Sequence, residues 1–208
     1  MAKKLIITIA RQYGSGGREI GEKVSEMLNI PLYDKLLITE AAAKGELNEE
    51  IIKKSDESAA NSLLYTLAVG SNPLGGAMQF GYKMPLSDKL FILQSEVIRE
   101  YAEKGSGVFI GRCADYVLKD ESNILRIFIY GNLEHREQRV KERHPEIKSS
   151  QIISTINKTD KRRSTYYNFY TGNKWGQFDN YDMAINSSTL GITETAEMIC
   201  EFARKMMQ

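Results

Sequence analysis

Residues 5–10, Leu-Ile-Ile-Thr-Ile-Ala, form a short apolar, β-branched run that leads into a glycine cluster, Gly14-Ser15-Gly16-Gly17. A helical pattern follows, with Ile20, Val24 and Leu28 on one face. Few features constrain a chain more. A strand that turns through glycines into a helix opens a parallel α/β layer, because the helix packs back on the sheet its strand belongs to. The turn also carries chemistry. Glycines reach positive φ and let an anion approach the backbone closely. The helix N-terminus adds unsatisfied N–H groups and partial positive charge. A phosphate site between strand and helix is therefore expected, and a tight turn without a ligand is the plain alternative.

The alternation continues along the chain. Pro31-Leu32-Tyr33 reads as a second short strand, and Asp34 as the cap of a helix through Leu37, Ile38 and Ala41. Helical pieces are expected near residues 49–53 and 58–67. Residues 70–85, glycine-rich with Pro73 and Pro85, read as a mobile loop. Leu90, Leu93, Val97 and Tyr101 mark an amphipathic helix. Residues 107–111 and 124–130 read as buried strands, and 133–142 as a charged helix. Ile152, Ile156 and the run Lys161-Arg162-Arg163 suggest a second polar helix, followed by an aromatic stretch over 166–181. Residues 183–185 make a last strand. Ile192, Ile199, Phe202 and Met206 build a final helix that starts at Gly191, with Glu194 in its first turn. The fold class is α/β, a mostly parallel sheet covered by helices on both faces.

Composition limits the function classes. At 208 residues the chain suffices for one domain with a small insert. A net charge of +1 gives no bulk footprint for nucleic acid or an anionic membrane, and neither is expected as a partner. Cys113 and Cys200 lie too far apart for a disulfide framework or metal spacing, and His135 and His144 add no ligand pattern. The N-terminus shows no signal-peptide pattern and no segment reaches membrane-spanning length, so the cytoplasm is the expected compartment.

The glycine turn departs from the familiar phosphate-binding pattern of Gly, four residues, Gly-Lys, then Ser or Thr. With Gly16 as the second glycine, Gly17 stands where the lysine belongs. With Gly17 there instead, Arg18 takes the lysine position and Glu19 the hydroxyl position. Neither alignment supplies the leading glycine. Arg18 is the expected substitute for the lysine, as a planar fork rather than a flexible point charge. Arg11, before the glycines, competes for that role. Arg18 could also turn outward to Glu22, four residues along the helix. Ser15 is the nearest hydroxyl for a magnesium ion.

Residues 7–21, Ile-Thr-Ile-Ala-Arg-Gln-Tyr-Gly-Ser-Gly-Gly-Arg-Glu-Ile-Gly, followed by Ile30-Pro31-Leu32-Tyr33-Asp34-Lys35, resemble the cytidylate kinase-like family. Phe109-Ile110-Gly111-Arg112 is similar to that family's Asp-Gly-Arg-Asp segment. Ile127-Phe128-Ile129, the helix with Glu134, Arg136 and Arg139, and Asn186-Ser187-Ser188-Thr189 follow in the same order. The resemblance covers nearly the whole chain. It implies a three-layer P-loop kinase domain over residues 1–208 with a parallel five-stranded core. A helical nucleoside monophosphate-binding insertion would span residues 35–88 and a lid residues 143–180. It further implies transfer of the γ-phosphoryl of ATP, with Mg2+, to a nucleoside monophosphate such as CMP or another small acceptor. The sequence departs at the missing lysine, at Ile110 and Cys113 where aspartates flank Gly-Arg, and at Thr159 and Tyr166 where the lid carries arginines.

Gly14, Ser15, Gly16, Gly17, Arg18 and Glu19 are expected around the ATP phosphates. Arg18, Arg112, Arg162 and Arg163 are expected on the charge that develops during transfer. Asp34, Arg99 and Arg112 are expected on the acceptor. Each has a plain alternative: a helix cap for Asp34, an exposed surface arginine for Arg99, a salt bridge or helix cap for Arg112, a solvated face for Arg162 and Arg163. Tyr166, Tyr167, Phe169, Tyr170 and Trp175 are read as lid packing or an association surface, which leaves a homodimer open. A nucleotide-binding sensor that has lost catalysis is the reading from another functional class.

Overall fold

The computed structural model describes residues 4–34 and 85–207. Its core is a five-stranded, fully parallel sheet with strand order β2-β3-β1-β4-β5. The strands are β1 (Ile6–Arg11), β2 (Leu32–Tyr33), β3 (Gly107–Ile110), β4 (Ile124–Tyr130) and β5 (Met183–Asn186). The helices are α1 (Gly17–Leu28), α2 (Leu86–Lys104), α3 (Ala114–Val117), α4 (Leu133–Arg143), α5 (Ile152–Thr171) and α6 (Ser187–Met207). Short 3-10 turns lie at Ser149–Gln151 and Phe178–Asn180.

The central strand shows why its sequence is apolar throughout. Ile6, Ile7, Thr8 and Ile9 are all at most 2% exposed, since helices cover both faces. Leu5, Ile7 and Ile9 pack with Ile20 and Val24 of α1 and with Ala196, Ile199 and Ala203 of α6. Ile6 points the other way, to Phe109, to Ile98 and Ala102 of α2, and to Ala114 of α3. The period of two along β1 thus divides the core into two layers. β1 sits between β3 and β4, with Ile9 in register with Ile110 and Ile127. Chain connections from β1 run to one side first and later to the other. The C-terminal end of β1 is therefore the crevice where open α/β sheets bind ligands.

Three details differ from the sequence reading. The aromatic stretch from Tyr166 does not follow the polar helix; its first residues belong to α5, which runs on to Gly172 in a left-handed cap at φ 72°. No glycine or proline interrupts 152–171, and Tyr166 and Tyr167 are buried against Cys113. A short helical turn from Ser187 precedes the final helix, and Gly191, at φ 82°, breaks the two apart where the sequence places the start. The single turn α3 follows β3 where no helix was expected. The helix through Leu37, the pieces near 49–53 and 58–67, and all of the 70–85 loop but Pro85 lie outside the described residues.

Candidate functional site

The glycine turn after β1 is held from several sides. Gln12 donates its N–H to the Ile129 carbonyl at 2.9 Å, and Gly131 donates to Gln12 Oε1 at 3.2 Å. Ser187 Oγ donates to the Ser15 carbonyl at 2.7 Å, tying the start of α6 to the loop. Gly14 and Gly16 turn the chain at φ 79° and 77°. A Cβ at Gly14 would lie 2.8 Å from the Arg136 carbonyl, and one at Gly16 would overlap the Ile192 side chain. Gly16 caps α1 without a side-chain bond. The N–H groups of Gly17, Arg18 and Glu19 therefore have no acceptor within the helix.

Over this helix start lies a cleft of about 390 Å³. Arg11, Arg18, Arg139, Arg143 and Arg163 line it, and Glu19 is its only carboxylate among the described residues. Such a cleft suits a polyanion. Glu19 is engaged by Arg139 Nη2 at 2.7 Å and Arg143 Nη2 at 2.6 Å. Below the cleft, Asp160 of α5 accepts from the Tyr13 N–H at 2.7 Å and pairs with Arg136 Nη2 at 2.5 Å. Arg136 Nε donates to the Tyr13 carbonyl at 2.8 Å. Arg163 Nη1 donates to the Arg11 carbonyl at 2.9 Å, and its guanidinium lies 5.7 Å from the centre of the Tyr13 ring.

A second, smaller cavity of about 40 Å³ opens at the end of β3. Gly111, Arg112 and Cys113 all take left-handed backbone there, at φ 72°, 58° and 56°. For Arg112 and Cys113 that is uncommon and stores strain of the kind that collects at ligand sites. Asp115, Tyr166, Tyr167 and Trp175 complete the wall. Arg11 and Arg163 line both cavities, so the two meet across them.

Asp115 is buried, and Tyr167 Oη donates to its Oδ2 at 2.7 Å. Burial pushes the Asp115 carboxyl up, and the Tyr167 bond only partly opposes it. The Tyr167 and Tyr181 phenols are pushed up as well, by burial first and by the Asp115 charge next. A carboxyl whose pKa rises on folding contributes stability below its unfolded value and loses it as pH rises through the folded value. Asp115→Asn, which keeps an acceptor for Tyr167, should therefore gain stability relative to wild type between pH 4 and pH 8. Urea unfolding at both pH values reads the difference, and a constant gap would contradict the assignment.

The expected residues separate in space. Gly14, Gly16, Gly17, Arg18 and Glu19 line the larger cleft, Arg112 the smaller one, and Arg163 both. Ser15 does not reach the cleft. It is fully buried, and its hydroxyl donates to the Gln12 carbonyl at 2.9 Å, with the Ile129 carbonyl at 3.3 Å. Arg18 reaches the rim, but its side chain is 64% exposed and turned to Asp34 at 2.8 Å and Glu22 at 3.2 Å. Asp34 is thereby buried at the end of β2 beside Arg18. Arg162 is exposed on α5 and lines neither cavity; Arg99 lies on the exposed side of α2. Arg143 at the cleft and the anchoring role of Asp160 lie outside the expected set. Arg136, Arg139 and Arg143 recur at i, i+3 and i+7, one helix face, and that spacing was the available signal.

A model of the cytidylate kinase-like family matches residues 6–189. The chain belongs to that family. Among curated proteins none matches its sequence significantly. Among solved structures it is similar to an uncharacterized protein from Eubacterium ventriosum ATCC 27560. That match has 28% identity and a TM-score of 0.72 over 97% of this chain and 99% of the other. The same fold recurs in shikimate kinase from Acinetobacter baumannii in complex with shikimate, at 13% identity and a TM-score of 0.51 over 98% and 95% of the two chains. TT1252 from Thermus thermophilus matches at 14% identity and a TM-score of 0.54 over 99% and 98%. The cytidylate kinase-like chain thus has a P-loop kinase architecture. None of its described helices is long and apolar enough to cross a membrane.

Proposed function

We propose that this family member is an ATP-dependent phosphotransferase acting on a small acceptor, with a nucleoside monophosphate such as CMP as the favoured class. The observation that carries the reading is the meeting of two cavities at Arg11 and Arg163, with the larger seated on the start of α1. The triphosphate of ATP fits the larger cleft, where backbone N–H groups and arginines converge. The acceptor fits on the side of Arg112. The γ-phosphoryl then stands at the junction. Its bond to the bridging oxygen breaks as one to an acceptor phosphate oxygen forms, and ADP leaves. Catalysis by this chain consists of alignment and of arginine charge around the moving group.

Residues 35–88 are proposed as the acceptor-binding insertion, residues 143–180 as the lid, and the cytoplasm as the compartment. Magnesium, which the family resemblance implies, finds no donor set among the described residues. The Ser15 hydroxyl is turned into the loop, Glu19 is held by two arginines, and no cluster of His, Cys, Asp or Glu is placed to bind a metal.

The test is ADP release from ATP with CMP, UMP, AMP and small hydroxy acids offered singly. The expected result is acceptor-dependent turnover, highest with a pyrimidine monophosphate. ATP binding without stimulation by any acceptor would favour the sensor reading, to which the two arginines already occupied by Glu19 lend support. No binding of ATP would overturn both.

A further inference from the structure

The loop lacks the lysine of the phosphate-binding pattern, and the structure points to where the charge has gone. With Gly16 as the pattern's second glycine, the first position is Arg11 and the lysine position is Gly17. The two ends of the motif have exchanged residue types. They are also in contact. A Cβ on Gly17 would lie 2.6 Å from the Arg11 Cβ and 3.0 Å from its Cγ. Any side chain at 17 would drive against the stem of Arg11, so an arginine at the first position requires a glycine at the seventh. On its far side the Arg11 guanidinium lies against Gly111, where a Cβ would overlap it. Two bare glycines, one from α1 and one from the end of β3, therefore leave a slot that Arg11 fills.

That slot directs the charge to the junction. Arg11 lines both cavities, and its guanidinium lies beside the bare Gly111 at the smaller one. We propose that Arg11 holds the terminal phosphates of a polyphosphate seated on the α1 N-terminus, in the role the pattern gives to its lysine. Naming that polyphosphate as the tail of ATP rests on the phosphotransferase reading; the anion site does not. The cation has moved from the seventh position to the first, and the glycine has moved the other way to make room.

Titration calorimetry with inorganic tripolyphosphate and with a nonhydrolysable ATP analogue tests this. Arg11→Ala should bind tripolyphosphate about 10- to 100-fold more weakly than wild type, the range for one lost charge-assisted hydrogen bond. Arg11→Lys should recover part of the loss, since it keeps charge without the fork. Gly17→Lys alone should also lose binding, through collision with Arg11. The double variant R11G/G17K restores the pattern and should regain binding. R11G/G17A relieves the collision without a cation and should stay weak. Arg11→Ala binding tripolyphosphate within twofold of wild type would overturn the proposal, as would R11G/G17A binding as well as R11G/G17K. Should Arg11→Ala fail to fold by circular dichroism, the two double variants decide. Wild type that binds tripolyphosphate but not the ATP analogue would retain the Arg11 site and sink the phosphotransferase reading. Binding of neither would sink both.

Discussion

Replacing Asp160 with alanine should lower the free energy of unfolding by about 3 kcal/mol, the low end of the scale for breaking one side of a buried ion pair, because Asp160 keeps some exposure. Arg136 is 6% exposed, and its guanidinium spans Asp160 and the Tyr13 carbonyl. Asp160 also accepts the Tyr13 N–H. Removing the carboxylate leaves a buried cation and a loop N–H without their acceptor, and neither can reach water cheaply. Asp160→Asn should cost less, because it retains an acceptor while losing the charge. Replacing both partners by apolar residues of similar size, as in R136M/D160L, should recover much of the loss, since no orphan charge remains. Urea unfolding of the four proteins checks the series. A loss under 1 kcal/mol for Asp160→Ala would mean that water reaches Arg136 readily. The pair also joins α4, α5 and the glycine turn, so the same variant should weaken anion binding in the cleft.

The second large effect separates two neighbouring arginines. Arg163→Ala should cut turnover by roughly 10²- to 10³-fold, the scale for removing one preorganised donor from developing charge. Arg162→Ala should cost far less turnover, since its exposed side chain lines neither cavity. Arg163 lines both cavities and bonds the Arg11 carbonyl across the junction, while Arg162 faces solvent. If Arg163 acts mainly during transfer, kcat falls far more than affinity for ATP does. Steady-state kinetics with calorimetric ATP affinity distinguishes this from a general loosening of α5, which would weaken both together. Equal effects at 162 and 163 would return the basic run to a solvated helix face.

Much of the architecture was legible in the residues. Residues 5–10 had to form a strand buried on both faces, because no polar residue but Thr8 interrupts them. The glycine cluster had to turn, and Ile20, Val24 and Leu28 had to face a sheet. Strands over 107–111, 124–130 and 183–185 were readable, to within a residue of those formed, from apolar runs bounded by polar residues or glycine. The extent of α5 was not. Its aromatic second half reads as irregular until Tyr166 and Tyr167 are seen packed on Cys113, a contact between distant segments.

What the sequence by itself determined is the parallel α/β plan, the place of the glycine turn, and the absence of a lysine in it. Those follow from local periodicity and from the backbone freedom of glycine, which neighbours in the chain settle among themselves. Only the tertiary structure decided how each arginine near the turn is engaged. Arg11, Arg18, Arg139, Arg143 and Arg163 lie at the cleft, and composition cannot rank them. Their engagement depends on acids brought close by folding: Asp34 beside Arg18 and Glu19 beside Arg139 and Arg143. It depends equally on empty space at Gly17 and Gly111, whose missing side chains leave the slot for Arg11. Gly111 comes from a strand about a hundred residues further along the chain. Charge pairing and steric room are set by distances in space, and local sequence carries no record of them.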